Sequence, residues 1–200
     1  MDKKEKMKSG LMLGVNPLAE RQAEDFYATD SNALTLFIEK LKFDGIKLNQ
    51  NIWEPACGMG HLSNRLLDYG YDVKSTDLVD RGYGIGNCDF LDEYEMPNFE
   101  WIGDILTNPP FKLAEKFVER GNKILKDGNR LYLFLKIQFL EGQKRKELFK
   151  IYPPKYVYCY SARQLCCKDG EFEKYTATTQ FYAWYVWEKG FSGETIIRWI

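Results

Sequence analysis

The sequence predicts one α/β domain whose doubly wound, mostly parallel sheet has an antiparallel edge near the C-terminus. Short apolar segments alternate with amphipathic helical segments, which is the pattern of an open sheet with helices on both faces. The segment from Arg130 to Ile137 is an almost unbroken apolar strand, as expected for the buried middle of a parallel sheet. With 200 residues, of which 44% are hydrophobic, the chain can bury one substantial core.

The predicted strands are short apolar segments bounded by turn residues. In chain order they are Asn51–Ala56, Asp72–Asp77, Asn87–Leu91, Trp101–Thr107, Arg130–Ile137, Tyr156–Ser161 and Phe181–Trp187, followed by an extended end at Thr195–Ile200.

Three helices are predicted from apolar residues that recur at helical spacing. The first begins at Asp30 or Ser31, either of which can cap it. The second follows Gly60. The third follows Phe111, has one apolar and one charged face, and is stopped at Gly128.

Composition excludes several classes of protein. With 16 Gly and 7 Pro the chain is neither collagen-like nor disordered. Its apolar runs are far shorter than the roughly 20 residues that cross a bilayer, and no leader opens it, so a soluble, cytoplasmic protein is expected. The chain has an odd number of cysteines, five, with no Cys-x-x-Cys spacing, and one histidine. This pattern predicts reduced thiols and no metal site. Residues 1–25 have little to bury and are expected to form a mobile arm ahead of a single domain, 26–200.

Charge is distributed unevenly along the chain. The net charge is only −1, but residues 1–111 carry −8 and residues 112–174 carry +7. A basic segment on an otherwise acidic protein is typical of a nucleic-acid face, although a solvated lysine-rich surface has the same signature.

Four features follow successive predicted strands, where open α/β sheets bind ligands: Gly58-Met59-Gly60, Asp77, Asp89 and Asn108-Pro109-Pro110-Phe111. A glycine turn before a helix lets backbone N–H groups approach an anion. Position 63 is serine, so the pattern fits NAD poorly. Asp77 lies 19 residues after Gly58, a spacing typical of a carboxylate that binds ribose. The features favour an adenosine-bearing ligand over an ordinary turn with a surface aspartate.

The segment from Asn108 to Phe111 is the most specific signal. Two consecutive prolines predict a stiff, extended loop, and they remove N–H donors while leaving carbonyl acceptors. The Asn108 side-chain oxygen and the Pro109 carbonyl can accept two hydrogen bonds from one NH₂ group, and Phe111 offers a flat apolar surface. Together they predict a pocket for a planar amine such as N6 of adenine. The alternative is a rigid turn with Phe111 in the core.

These residues resemble the motifs of S-adenosylmethionine-dependent amino-methyltransferases, and more narrowly of the DNA adenine-N6 methyltransferases. The resemblance covers residues 24–200 and implies a Rossmann-like methyltransferase fold. It rests on Phe26-Tyr27-Ala28-Thr29, Glu54-Pro55-Ala56-Cys57-Gly58-Met59-Gly60, Asp77, Asp89-Phe90 and Asn108-Pro109-Pro110-Phe111. Residues 136–142 and 187–190 are similar to small phage and prophage members, which implies a bacterial or phage-infected cytoplasm.

The resemblance also implies roles for individual residues. Those implied to hold the methionine part of S-adenosylmethionine are Tyr27, Thr29, Glu54, Ala56, Gly58 and Gly60. Asp77 would bind the ribose hydroxyls, and Asp89 with Phe90 the cofactor's adenine. Asn108 and the Pro109 carbonyl would accept hydrogen bonds from the target amine within the loop that Pro110 stiffens, while Phe111 stacks on the base.

The DNA partner is expected to be a duplex from which the target adenine is flipped. The candidate contact region spans residues 138–181, with much of it expected in strands. Its candidate phosphate contacts are Lys144, Arg145, Lys146, Lys150, Arg163 and Lys168. Two alternatives stay open: the same chemistry on RNA or on a protein glutamine amide, and a non-catalytic protein that retains the cofactor pocket.

Overall fold

A seven-stranded sheet organises the chain in the computed structural model, which describes residues 27–93, 99–168 and 178–200. The predicted N-terminal arm lies outside these residues. The strands, in chain order, are β1 (Tyr27–Thr29), β2 (Asn51–Glu54), β3 (Asp72–Ser75), β4 (Asp104–Thr107), β5 (Arg130–Lys136), β6 (Tyr156–Cys159), β7 (Cys166–Lys168), β8 (Tyr182–Glu188) and β9 (Ile196–Trp199).

The sheet order is β3-β2-β4-β5-β8-β6-β9. The first four strands are parallel. Strand β8 runs antiparallel to both of its neighbours, β5 and β6, while the outermost strand β9 pairs in parallel with β6. The doubly wound, mostly parallel sheet with an antiparallel C-terminal part is therefore confirmed.

Within the described residues, four α-helices and two short 3₁₀ turns accompany the strands. They are α1 (Ser31–Phe43), α2 (His61–Asp68), α3 (Ala114–Ile124), α4 (Gln143–Ile151) and the 3₁₀ turns Phe111–Leu113 and Ile137–Leu140. Asp30 caps α1 by accepting a hydrogen bond from the backbone nitrogen of Asn32 at 2.9 Å. This bond satisfies one of the donors that every helix leaves unpaired at its start.

Strand β5 shows why both faces of the sheet are covered. Alternate side chains of a strand point to opposite faces. Tyr132 and Phe134 therefore join a core with α1 and α2, whereas Leu131, Leu133 and Leu135 join a second core with α3. All five are buried, as expected for a central strand.

A separate two-stranded ribbon lies outside the main sheet. Strand β1 pairs antiparallel with β7, and the register places Thr29 opposite Cys166. The ribbon joins positions that are far apart in the sequence and sits beside the carboxyl end of β4.

Two expectations about secondary structure were wrong. Residues 87–91 form a loop: Asn87 has a positive φ of 56°, and the Asp89 carboxylate accepts a hydrogen bond from the Leu91 backbone nitrogen at 2.9 Å. Such local side-chain bonds compete with strand pairing. Much of the 138–181 region was expected in strands, but its start is helical: α4 lies in the basic segment, for which no element was predicted, and Leu148 is its one buried residue, so apolar periodicity is weak there.

Candidate active site

One cavity of about 400 Å³ lies beyond the carboxyl ends of β2 and β4. Its lining brings together ten of the residues singled out from the sequence: Thr29, Glu54, Ala56, Asp77, Asp89, Phe90, Asn108, Pro109, Pro110 and Phe111. Gly58 and Gly60 lie between Cys57 and His61, both of which line the cavity. Tyr27 begins β1, and its side chain lies outside the described part of the structure.

The glycine turn joins β2 to α2 in a conformation that glycine favours. Gly58 has φ 55° and Gly60 has φ 81°, both in the left-handed region. At Gly60 a Cβ atom would lie only 2.4–2.5 Å from three carbons of the Tyr83 ring, whose hydroxyl donates a hydrogen bond to Asn64 at 2.9 Å. The turn is therefore closely covered as it enters α2.

Asp77 connects this turn to the loop that follows β3. One carboxylate oxygen accepts from the Gly58 backbone nitrogen at 2.8 Å. The other accepts from the backbone nitrogen of Val79 and from Nη1 of Arg81, both at 2.9 Å. Asp77 is 7% exposed and lines the cavity, so a negative carboxylate is held at the cavity wall.

Glu54 places a second carboxyl group in the cavity lining. It ends β2, is 2% exposed and accepts a hydrogen bond from Ser63 Oγ. Burial raises the pKa of Glu54 to about 8, and the Asp77 charge adds to this although the Ser63 bond opposes it. The Glu54 carboxyl is therefore mainly neutral at pH 7 until a cation approaches it.

Asp89 and Phe90 form a third part of the wall. Asp89 is exposed, lines the cavity and is held in a turn by its carboxylate, which accepts the Leu91 hydrogen bond. Phe90 is 3% exposed, and its ring packs against Trp53 and Phe117 at centroid distances of 5.3 and 4.8 Å. Phe90 thus presents a rigid apolar surface next to a carboxylate.

The diproline loop follows β4 directly. Pro110 has ψ 118°, in the extended range expected, and the chain then turns through Phe111–Leu113. Phe111 is half-buried and lines the cavity. Its ring lies 6.1 Å from the Tyr182 ring, and Lys136 Nζ lies 5.0 Å from its centroid. Phe111 therefore borders the cavity as well as packing on the sheet.

The Asn108 amide is oriented by the β1–β7 ribbon. Its Nδ2 donates to Thr29 Oγ1 at 2.9 Å and to Cys166 Sγ at 3.5 Å. This orientation assigns the acceptor role to Oδ1. Sequence reasoning singled out Asn108 and Thr29 and missed Cys166, because only the pairing of β1 with β7 brings it to the site.

The candidate phosphate contacts of α4 fall into two groups. Lys144 and Lys146 are exposed. Arg145 donates through Nε to the Glu141 carbonyl at 2.6 Å, and Lys150 forms an ion pair at 2.8 Å with the glutamate three residues before it. Two of the four cations on this helix therefore already have partners within the chain.

One further cation lines the cavity, and Arg163 lies outside its lining. Lys112 is exposed and lines the cavity beside Phe111. The Arg163 guanidinium lies 3.9 Å from the centroid of Phe181, which is 47% exposed. The side chain of Lys168 is outside the described residues.

Within residues 27–93, 99–168 and 178–200, no three His, Cys, Asp or Glu side chains are grouped so that they could hold a metal. No helix of that part has both the length and the apolar character of a membrane span.

Comparison with known proteins identifies the fold. No family model and no curated protein matches the sequence. A candidate class I S-adenosylmethionine-dependent methyltransferase from Listeria monocytogenes is similar in structure, with a TM-score of 0.60 and 15% identity over 98% of this chain and 73% of that one. A candidate RNA methyltransferase from Pyrococcus horikoshii has a TM-score of 0.56 and 12% identity over 93% and 98% of the two chains.

A third similar structure is a type I restriction-modification methyltransferase subunit from Streptococcus thermophilus. Its TM-score is 0.60, with 14% identity over 88% of this chain and 48% of that subunit. The present chain thus spans about half of that protein. At these identities the similarity shows the fold, so this chain has the fold of the class I S-adenosylmethionine-dependent methyltransferases.

Proposed function

We propose that the protein is an S-adenosylmethionine-dependent methyltransferase acting on the N6 amine of adenine in DNA. The observation that carries this proposal is the position of Asn108 and Phe111. Both border one cavity with Glu54, Asp77 and Phe90, the side chains of the cofactor motifs. The proposed amine acceptor and the proposed cofactor site therefore share a single space.

The residues of the cavity fit the chemistry of S-adenosylmethionine. Asp77 supplies a carboxylate for ribose hydroxyls, although Arg81 now shares it. Phe90 supplies an apolar surface for a purine, and Asp89 an acceptor near its edge. Glu54 supplies a carboxyl that a cation would ionise. A cavity of about 400 Å³ lies within the range of known cofactor sites. When bound, S-adenosylmethionine supplies a methyl group activated by a positively charged sulfur.

The loop residues would prepare the amine. The lone pair of an aromatic amine is delocalised into its ring, so the amine is a poor nucleophile. Asn108 Oδ1 and the Pro109 carbonyl would accept its two hydrogens and favour the geometry in which the lone pair points into the cavity. Phe111 would stack on the base and restrict its rotation. Such orientation contributes up to ~7–11 kcal/mol in well-aligned reactions.

The basic side chains support a nucleic-acid substrate. Lys112 lies at the cavity mouth, while Lys144 and Lys146 are exposed on α4. Lysines in these places would contact phosphates and position the strand without reading its sequence. The adenine would leave its stack at a cost of a few kcal/mol, which stacking on Phe111 would partly offset.

The test is methyl transfer from labelled S-adenosylmethionine to adenine-containing duplex DNA, RNA and glutamine peptides in parallel. We expect N6-methyladenine in DNA. Asn108→Ala and Phe111→Ala should each lower turnover by about a hundredfold, because each removes an interaction that positions the base. Asn51→Ala and Phe43→Ala are matched controls, since both wild-type residues are exposed and Asn51 begins β2 at the end opposite the cavity.

The outcomes separate the alternatives. Transfer to RNA or to glutamine alone would replace the DNA substrate while keeping the amine chemistry. Full activity of Asn108→Ala on every substrate would contradict the catalytic assignment. Binding of the cofactor with no transfer to any substrate would favour the non-catalytic alternative.

A further inference from the structure

Cys166 contacts Asn108, one of the two side chains to which the proposed function assigns the target base. It belongs to β7, outside the motifs that carry the family resemblance, and it is opposite Thr29 in the β1–β7 register. Its sulfur accepts a hydrogen bond from Asn108 Nδ2 at 3.5 Å. The same thiol interacts with the side chain of Tyr182.

Tyr182 extends the connection to Phe111. It is 6% exposed, and its ring stacks on Phe134 with a centroid distance of 4.9 Å. Its ring also lies near the Phe111 ring, at a centroid distance of 6.1 Å. Cys166 is therefore in contact with Asn108 directly and is linked to Phe111 through a single, tightly packed tyrosine.

The chemistry of the thiol suits a fixed support. Burial raises the pKa of Cys166 to about 12, so the sulfur stays protonated and brings no negative charge to the site. A neutral thiol can accept from an amide and donate through its own S–H. Thr29 Oγ1 accepts from the same amide nitrogen at 2.9 Å. The two acceptors together prevent the amide from rotating and exchanging its nitrogen with its oxygen.

We propose that Cys166 is a positioning residue that holds the Asn108 amide, and through Tyr182 the Phe111 ring, in the orientation needed to receive the target amine. This proposal rests on the proposed function for its catalytic consequence. The geometry of the support can also be tested without any substrate.

The kinetic test compares Cys166→Ala, Cys166→Ser and the neighbouring Cys167→Ala. Cys167 is 2% exposed and is the matched control, because its side chain points to the opposite face of the ribbon. We expect Cys166→Ala to lower kcat about tenfold, with KM and cofactor affinity almost unchanged, because one orienting hydrogen bond is lost. Cys166→Ser should recover most of this loss, and Cys167→Ala should leave kcat unchanged. Equal losses of kcat in the two alanine variants would overturn the proposal.

A second readout does not depend on activity. In nuclear magnetic resonance spectra, the side-chain amide signals of Asn108 should move in Cys166→Ala, return towards their original position in Cys166→Ser and stay in place in Cys167→Ala. If the wild-type protein transfers no methyl group, the proposed function fails. The amide signals still show whether Cys166 holds the Asn108 side chain in place. Unmoved Asn108 signals in Cys166→Ala would refute it.

Discussion

Glu54 illustrates how one side chain combines a structural cost with a proposed binding role. Its carboxyl is almost fully buried at the end of β2, with Ser63 as a hydrogen-bond donor and the Asp77 charge nearby. Burial favours the neutral acid, whereas a bound cation would favour the carboxylate. The site therefore contains a group whose charge depends on whether the cavity is filled.

This gives a prediction about stability and pH. The pKa of Glu54 is about 8 in the folded protein and 4.5 in the unfolded chain. The folded state keeps a proton that the unfolded state releases. The contribution of Glu54 to the free energy of unfolding is therefore complete below pH 4.5 and is lost as pH rises from there through 8. Glu54→Gln should remove this loss, which amounts to at most roughly 5 kcal/mol. Urea unfolding without cofactor at pH 5, 7 and 9 measures it.

Glu39→Gln is the control, because the Glu39 side chain is 57% exposed. Burial also raises the pKa of Asp104, to about 6, but this group titrates in all three proteins and cancels in the differences. A Glu54→Gln profile parallel to that of the wild type would contradict the assigned pKa.

The start of α2 carries the glycine turn that borders the proposed cofactor site. Gly60 and Gly70, which lie just before and just after this helix, have nearly equal positive φ values of 81° and 83°. A Cβ at Gly60 would collide with Tyr83, whereas at Gly70 it would meet nothing within 4 Å. A comparison of alanine substitutions at the two glycines therefore separates the cost of backbone strain, which both share, from the cost of the clash with Tyr83, which only Gly60 has.

Gly60→Ala should therefore be more damaging than Gly70→Ala. Both variants bear about 1–2 kcal/mol of left-handed strain. Gly60→Ala should lose a further 1–3 kcal/mol or so, because the Tyr83 ring must move, and it should weaken cofactor binding measured by calorimetry. Gly70→Ala should bind the cofactor normally. Equal unfolding free energies for the two variants would show that Tyr83 yields at no cost.

The sequence predicts elements well where the pattern is local. Strand β5 and helix α3 are evident from an apolar run and from a two-faced periodicity, and both are found. Helix α4 was missed because a single buried leucine leaves little periodicity. The β1–β7 ribbon could not be predicted, since nothing local in either segment specifies pairing between residues so far apart.

The residues of the candidate site likewise differ in whether a local sequence pattern predicts them. Its members at strand ends were predictable because parallel strands bring their carboxyl ends to one edge. Cys166 was not, because its position depends on the ribbon. The Asp77–Arg81 pair also escaped prediction, since an ion pair within a loop requires the loop conformation.

At the scale of the whole molecule, an almost neutral protein separates its charges. The lysines of α4 are far along the chain from Lys42 and Lys47, which lie near the end of α1. The Lys47 carbonyl accepts a hydrogen bond from Arg130, at the start of β5, so this region is at the end of the sheet opposite the cavity. The two lysine pairs therefore allow a test of which end would meet DNA under the proposed function.

Reversing Lys144 and Lys146 to glutamate should reduce the salt dependence of DNA affinity. Each lost phosphate contact lowers the slope of log affinity against log salt by about 0.9, so we expect a decrease of about two. Reversing Lys42 and Lys47 should leave the slope nearly unchanged. Fluorescence anisotropy from low to moderate salt measures both, and an unaltered slope in the first variant would remove α4 from the interface.

The central position of β8 has a consequence for how the protein is made. This strand pairs along its whole length with β5 and also with β6, although both are synthesised before it. While the ribosome is still adding residues before 182, the apolar edge of β5 is without its partner, and such edges invite aggregation. The nascent chain can therefore join β5 to β6 only after residue 188 has emerged, and until then the β5 edge lacks its β8 partner.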